Sequence, residues 1–367
     1  MQVAVIGAGP VGLVTGMALA ERGYAVRIFD PATEKPKMTL ALAESTLALL
    51  SKLQVPEVAG EALQEIHISE RGVPGSAMLS ASELGLPRFG QVTCSHALEA
   101  ALADRAAAWI EAKIVTSVRA RGAETPPELV LADGEQLHPD LVILADGGRS
   151  PLTASLGFVA HQRPFGRTAL LGRLRVTHPI PGRAYERFVG TGPLALLPLS
   201  DGLYGFVWSL SPEDAARFDA DHGALLTTLA ATLDPALGEV TLATSPVQIP
   251  LIERWIDQPY RPGVLLLGNG AQTIHPVAGQ GMNLALRGLA KLLDTLEQLP
   301  IDAAVQRAFS EWQADRNRTR FASSALEALF DVPAVWRRAG TAVGMALFDQ
   351  SLPLKRRLAE AGMGMLS

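Results

Sequence analysis

The sequence predicts an α/β protein: parallel strands alternating with helices, a block of antiparallel sheet set between them, and helices to close. Three observations carry this. The first thirty or so residues run strand, glycine-rich turn, helix, strand. From about residue 166 to 250 the pattern changes to short alternating strands joined by tight turns. Beyond Gly281 the apolar residues recur at helical spacing.

Composition narrows the function. Of 367 residues, 48% are hydrophobic and 19% charged, so a sizeable core forms and global disorder is excluded. Net charge is −5, and basic residues gather only in short groups such as Arg337-Arg338 and Lys355-Arg356-Arg357. A nucleic-acid binder needs a concentrated positive surface, so none is expected. Cys94 is the one cysteine, which rules out a disulfide framework and fits a reducing cytoplasm. His67 and His96 have no metal-ligand spacing, and no metal is expected. Met1 leads straight into a strand, so no signal peptide is expected. The longest uncharged run, Pro262 to Leu286, holds Asn, Gln, His, Pro and many glycines, which a bilayer would reject. A cytoplasmic protein is expected, with contact at the periphery of the inner membrane left open by a mean hydropathy of +0.20.

The first unit is Val3 to Ile6, then Gly7-Ala-Gly9-Pro10-Val11-Gly12, a helix to about Arg22 stopped by Gly23, and a strand from Ala25 to Phe29 ending on Asp30. This is the GxGxxG fingerprint in its full setting. Gly7 makes the turn, Gly9 admits a pyrophosphate and Gly12 lets helix and strand pack. Asp30 suits both hydroxyls of an adenosine ribose. A helix is expected over Thr39–Leu53, a strand over Glu65–Glu70, a loop-rich excursion over 71–90, and a helix capped by Ser95. A hairpin follows around Asp133-Gly134, whose sequence suits a type I′ turn. A buried strand, Leu141 to Ala145, delivers Asp146-Gly147 to its carboxyl end, where α/β sheets bind ligands.

Strands are expected over Thr168–Val176, Arg183–Val189, Leu194–Leu199 and Leu203–Leu210, then helices over Pro212–Asp221 and Ala224–Leu233. A further strand, Val264–Leu267, enters a loop rich in glycine that ends at Gly279-Gln280-Gly281 and opens a helix from Met282 to Leu299. Bare backbone amides at a helix N-terminus favour an anion or an electron-accepting ring. Helices are expected over Ala303–Phe330 and Ala334–Met365, the last amphipathic, carrying Arg and Lys, and read as packed on its own domain in preference to docked on a membrane. The resulting partition is a Rossmann-like nucleotide domain in three parts (1–70, 91–165 and 251–330), interleaved with an excursion (71–90), an antiparallel substrate domain (166–250) and a C-terminal helical segment (331–367).

The order of the three motifs, at Gly7, Asp146 and Gly268, resembles the FAD-dependent aromatic monooxygenases of the para-hydroxybenzoate hydroxylase type. Within them the chain is most similar to the 2-octaprenyl-6-methoxyphenol hydroxylase family of ubiquinone biosynthesis. Gly268-Asn269-Gly-Ala-Gln272-Thr-Ile-His275-Pro276-Val-Ala-Gly279-Gln280-Gly281-Met282-Asn283 carries most of that likeness, with Ile68–Gly72, Phe89–Val92 and Arg183–Phe188 in support. The resemblance implies FAD as cofactor and NAD(P)H as a transient reductant, there being no second GxGxxG. It implies that Gly7, Gly9 and Gly12, with Pro10 and Val11 between them, hold the pyrophosphate, and that Asp30 holds the ribose. It also implies roles for Gln91 at the flavin chain, for Asp146 and Gly147 beside the cofactors, and for Asn269 at a ribityl hydroxyl. Pro276 would flank the isoalloxazine, and the backbone of Gly279, Gln280, Gly281, Met282 and Asn283 would face its N1–C2=O edge. Departures are Asn269 for Asp, Gln272 for His, Thr153 for Arg, and Lys37 or Met38 for a flavin-contacting Arg.

The resemblance further implies hydroxylation of an electron-rich ring through a flavin C4a-hydroperoxide, on a small aromatic or prenylated phenol. A flavin-dependent isoprenoid reductase and a non-catalytic flavin subunit of a quinone-biosynthesis complex share the fingerprint and stand as rivals. His275, before Pro276, reads as structural rather than as a base. Tyr204, Phe206 and Trp208 alternate along one strand face, so they either line the substrate pocket or form ordinary sheet core. Tyr185 and Arg187 share a face of the neighbouring strand, where they meet a phenol or form a solvated edge.

Overall fold

The computed structural model describes residues 1–31, 38–122, 125–148, 150–274, 280–328 and 334–363. β1 (Gln2–Ile6) turns at Gly7 into α1 (Pro10–Ala20), and β2 (Ala25–Phe29) returns parallel to β1. Apolar residues encircle α1 because it is enclosed: Leu13, Val14, Met17 and Leu19 are all buried. β3 (Thr39–Ala43) and α2 (Glu44–Lys52) then occupy the stretch that reads as one helix. β4 (Gly60–Leu63), β5 (Glu65–Glu70), β6 (Ser76–Ser80) and β7 (Gly90–Cys94) follow. β3 and β4 flank β7 antiparallel, so the ladder Thr39↔Cys94 through Ala43↔Gly90 converts the Leu-Ala-Leu-Ala run from helix to strand. Tertiary pairing overrides local propensity there. The excursion after residue 70 contains β6, not loop alone. β5, which falls before that boundary, pairs with β6 and with a strand of the substrate sheet.

α3 (Ser95–Ala106), β8 (Ile110–Glu111), β9 (Val115–Arg119), β10 (Glu128–Leu131), β11 (Gln136–Leu137) and β12 (Leu141–Leu144) complete the middle of the nucleotide domain. The β10–β11 hairpin is not closed by a type I′ turn. Only Gly134 is left-handed, at φ 87°, and Leu131 N–H donates to Glu135 C=O across three residues. Asp133 Oδ1 accepts from Glu135 N–H at 3.0 Å, which keeps Asp133 in an ordinary conformation.

α4 (Leu152–Ser155) leads into the large antiparallel sheet, the expected substrate domain: β13 (His161–Val176), β14 (Arg183–Val189), β15 (Gly192–Pro198), β16 (Leu203–Leu210), α5 (Pro212–Ala220), α6 (His222–Ala230), β17 (Val240–Leu242) and β18 (Val247–Trp255). Ser211 and Asp221 cap α5 and α6 through their side chains, accepting from Asp214 N–H and Ala224 N–H. β19 (Tyr260–Arg261) and β20 (Val264–Leu266) return the chain to the nucleotide domain, and β21 (Gln272–Thr273) pairs back onto β18. Its sheet runs β19-β20-β12-β1-β2-β8, with β20, β12, β1, β2 and β8 parallel; the substrate sheet runs β21-β18-β13-β16-β15-β14-β5-β6.

α7 (Gln280–Leu296), α8 (Ile301–Ala328), α9 (Ala334–Gln350) and α10 (Leu352–Met363) close the fold. The final helical stretch is two helices. Pro353 supplies no N–H and crowds Leu352, so the chain breaks at Ser351 and restarts. Among the described residues no helix is long and apolar enough to cross a membrane, and no group of three His, Cys, Asp or Glu side chains is placed to hold a metal.

Candidate active site

The three glycine-bearing motifs converge, and backbone crowding explains why each needs glycine. A Cβ on Gly12 would lie 1.9 Å from the Gly7 carbonyl oxygen, and one on Gly7 would lie 2.6 Å from that of Ala145. α1 can therefore pack against the β1 turn, and that turn against the end of β12, only without side chains. Gly9 differs: a Cβ there would meet nothing within 4 Å. Its backbone faces open space at the N-terminus of α1, where Pro10 takes the first helical position. That is the cradle a pyrophosphate requires, so the residues present fit the adenine-nucleotide half of FAD.

Asp30, at the end of β2, is buried, and its Oδ2 accepts from Ala8 N–H at 2.6 Å. The acid thus braces the Gly7–Gly12 loop from the end of β2. Asp146 likewise closes its own turn: Oδ1 accepts from Gly148 N–H at 2.8 Å and Oδ2 accepts from the Ser150 hydroxyl. Gly147 and Gly148 both have positive φ, at 77° and 71°. Val11, in the first turn of α1, lies beside the left-handed Gly268, where a Cβ would come 3.5 Å from it. Asn269 is exposed between buried Gly268 and Gly270, with its carbonyl 3.3 Å from Arg254 Nη1.

At the mouth of α7, Gly281 presents backbone to open space, with nothing within 4 Å of a Cβ position. The N–H groups of the first helical turn carry partial positive charge there. Asn283 does structural work beneath: Oδ1 accepts from Ala43 N–H and the Thr46 hydroxyl, both at 2.9 Å, and Nδ2 donates to Ala41 C=O. β3 and α2 are thereby clamped to the start of α7. Met282 packs against the nucleotide-domain core. Gln280 Nε2 donates to Gly362 C=O at 3.0 Å, tying the mouth to α10. Pro276, Gly279 and His275, together with Lys37, lie outside the described residues.

Other expected site residues are taken up in packing. Gln91 is buried and its Nε2 donates to Val58 C=O at 2.8 Å, holding the loop before β4. Tyr204, Phe206 and Trp208 are each 1% exposed and pack with Phe218, Leu225 and Leu229 of α5 and α6, so of the two readings theirs is sheet core. Tyr185 belongs to the same cluster, in contact with Tyr204 and His67. The opposite face of this sheet approaches the nucleotide domain: a Cβ on Gly205 would lie 2.9 Å from Thr39 Oγ1, and Arg173 reaches Cys94. There Leu171, Leu197 and Val207 are half-buried among Ala195, Gly205 and Arg173 in adjacent registers.

Two residues that position the Gly268 loop carry no local signal. Arg316 of α8 is buried, donates from Nε to Gln272 Oε1 at 2.7 Å and from Nη2 to Ile256 C=O at 3.0 Å, and lies over the Trp312 ring. Burial lowers its basicity, with Arg320 adding to the effect. Gln272 supplies one of the acceptors that this buried guanidinium needs. Arg254 donates to the Asn269 and Gly270 carbonyls from the other side.

Residues 1–326 match the family described as FAD binding domain. The chain belongs to that family. Relatives include the 3-demethoxyubiquinol 3-hydroxylase of Escherichia coli, 28% identical over 80% of this chain and 79% of its own, and the ubiquinone hydroxylase UbiL of Rhodospirillum rubrum, 26% identical over 99% and 90%. Among solved structures, p-nitrophenol 4-monooxygenase from Pseudomonas putida superimposes with a TM-score of 0.80 at 16% identity, covering 100% of this chain and 98% of its own. Klebsiella pneumoniae HpxO complexed with FAD and uric acid gives 0.76 at 20%, covering 100% and 96%. Its relatives are thus named as ubiquinone-biosynthesis hydroxylases, and its fold is that of FAD-dependent monooxygenases.

Proposed function

We propose that this flavoprotein hydroxylates the ring of a prenylated phenol on the route to a quinone, with NAD(P)H as reductant. The observation that carries the proposal is the pairing of two surfaces: the open α7 mouth at Gly281, and the half-buried apolar sheet face of Leu171, Leu197 and Val207 that looks toward β3. The Gly7–Gly12 loop and Asp30 would hold the adenine nucleotide, and the amides of Gly281 and Met282 would meet the electron-rich edge of the flavin. FAD, reduced by the nicotinamide, supplies the activated oxygen when bound. The sheet face supplies the rest: an apolar surface that orients a ring, and a lid that keeps water from it. Asp146 closes the turn at Gly148, and Arg254 bonds the Asn269 and Gly270 carbonyls, which would brace the nucleotide end of the site.

The test is direct. Purified protein is expected to be yellow, and with NADPH, oxygen and a substituted phenol to yield a product heavier by one oxygen atom. Two added hydrogens would make it a reductase, and bound flavin without turnover a scaffold. Protein that stays colourless after reconstitution with FAD would sink the reading altogether.

A further inference from the structure

α10 is built inside out. Its inner stripe, Lys355, Ala359 and Met363, includes a lysine only 5% exposed, whereas Leu352, Leu354 and Leu358 stand 48–49% exposed. Lys355 is held inward by Asp349 at 3.0 Å and Glu83 at 3.5 Å. Leu354 and Leu358 are one turn apart and form a single ridge, while Leu347, 63% exposed, and Leu352 flank the Ser351 break. Scattered surface leucines need no account, but a helix that buries its lysine and presents a leucine ridge is arranged for an apolar neighbour. Arg356 and Arg357 are exposed on the same helix, and the one carboxylate within α10, Glu360, is half-buried. In a chain of net charge −5 this is a local cationic exception.

We propose that the outer face of α9–α10 docks on an anionic lipid surface. The charge argues for lipid over a second copy of the chain: leucines beside outward arginines match acyl chains beneath anionic headgroups. Position argues the same way. The far end of α10 is bonded to the active-site mouth, Gly362 C=O to Gln280 and Met363 C=O to Ser45 Oγ at 2.6 Å. A groove of about 200 Å³ lined by Leu84, Leu86, Met363, Arg356 and Glu360 lies alongside. One short helix therefore links the docking face to the reaction site. The proposal rests on the prenylated-phenol reading for its purpose, since such a substrate partitions into bilayers, but its test does not depend on turnover.

Full-length, FAD-loaded protein is mixed with vesicles of phosphatidylcholine plus phosphatidylglycerol, or of phosphatidylcholine alone, and floated on a density gradient. It is expected to float with the anionic vesicles and to be released by salt. The Arg356→Gln/Arg357→Gln pair is expected to lower the partition coefficient on the order of thirtyfold. Leu354→Gln/Leu358→Gln should abolish flotation while keeping the flavin spectrum and the turnover of a tail-free phenol. Wild-type protein that stays at the bottom of the gradient, or flotation indifferent to both variants, overturns the proposal. So does a leucine variant that changes only the oligomeric mass seen by light scattering, which would assign the ridge to a second copy. Flotation with no turnover on any phenol would leave docking intact and remove the hydroxylase reading instead.

Discussion

The two faces of the substrate sheet are chemically opposite. One carries Tyr185, Tyr204, Phe206 and Trp208 and is sealed by α5 and α6; Trp208 stacks on Phe218 at 5.3 Å and 22°. The other carries Ala195, Leu197, Gly205, Val207 and Leu171 and approaches β3. The bulky face is solid, and the small-residue face leaves Leu171, Leu197 and Val207 half-buried where β3 approaches. A pocket in such a sheet is marked by what is missing from a strand, not by its aromatic residues. Aromatic rings carry the most burial energy, so they go where a helix can cover them.

The sharpest way to break that contrast is Trp208→Ala. It should cost about 3–5 kcal/mol of stability by leaving a cavity under α5, and leave substrate preference untouched. Denaturant unfolding with parallel kinetics reads both. Val207→Phe is the mirror experiment, adding bulk to the open face. Tm should barely move, while kcat/KM for a bulky phenol falls on the order of tenfold or more. If the tryptophan variant changed substrate choice and the valine variant did not, the faces have been assigned backwards.

The nucleotide half was legible because its constraint is steric and local. Gly7, Gly9 and Gly12 announce themselves within six residues, and the 1.9 Å approach at Gly12 shows why no other residue serves. Residues whose job depends on distant partners gave no such sign. Asn283 reads as a flavin-edge residue, yet its side chain clamps Ala43, 240 positions away. Gln272 reads as a departure from the family pattern until Arg316, 44 residues on, is seen bonded to it. Strand alternation reported that Tyr204, Phe206 and Trp208 share a face but not that α5 and α6 cover it, because period two is blind to sheet orientation. The Thr39–Ala43 run failed as a helix for a related reason, its partner β7 being some fifty residues downstream.

Tyr204 offers a finer probe of the sealed face. Its hydroxyl donates to Ile180 C=O at 2.9 Å and accepts from Ile180 N–H at 3.2 Å, and burial raises its pKa to about 12. Tyr204→Phe should lose roughly 1 kcal/mol and leave the pH profile of turnover unchanged, since a core phenol takes no part in proton transfer. A shifted kinetic pKa would place it at the substrate after all.

The smallest expected effect concerns His67, which lies edge-on to Tyr185 at 5.6 Å. Burial lowers its pKa below the usual 6.5, Arg183 and Arg187 push the same way, and Asp234 opposes them without prevailing. The unfolded chain therefore binds a proton more readily than the folded one between the ordinary value and the depressed one. Stability contributed by the neutral imidazole is complete above about pH 6.5 and is lost as pH falls through the folded value. His67→Gln should flatten that acid limb in a Tm-against-pH series while leaving the neutral-pH Tm and the flavin spectrum nearly unchanged. Because the histidine sits on the sealed face, an altered pH optimum for hydroxylation in this variant would mean that the two faces communicate, and the sheet could no longer be treated as a wall between core and pocket.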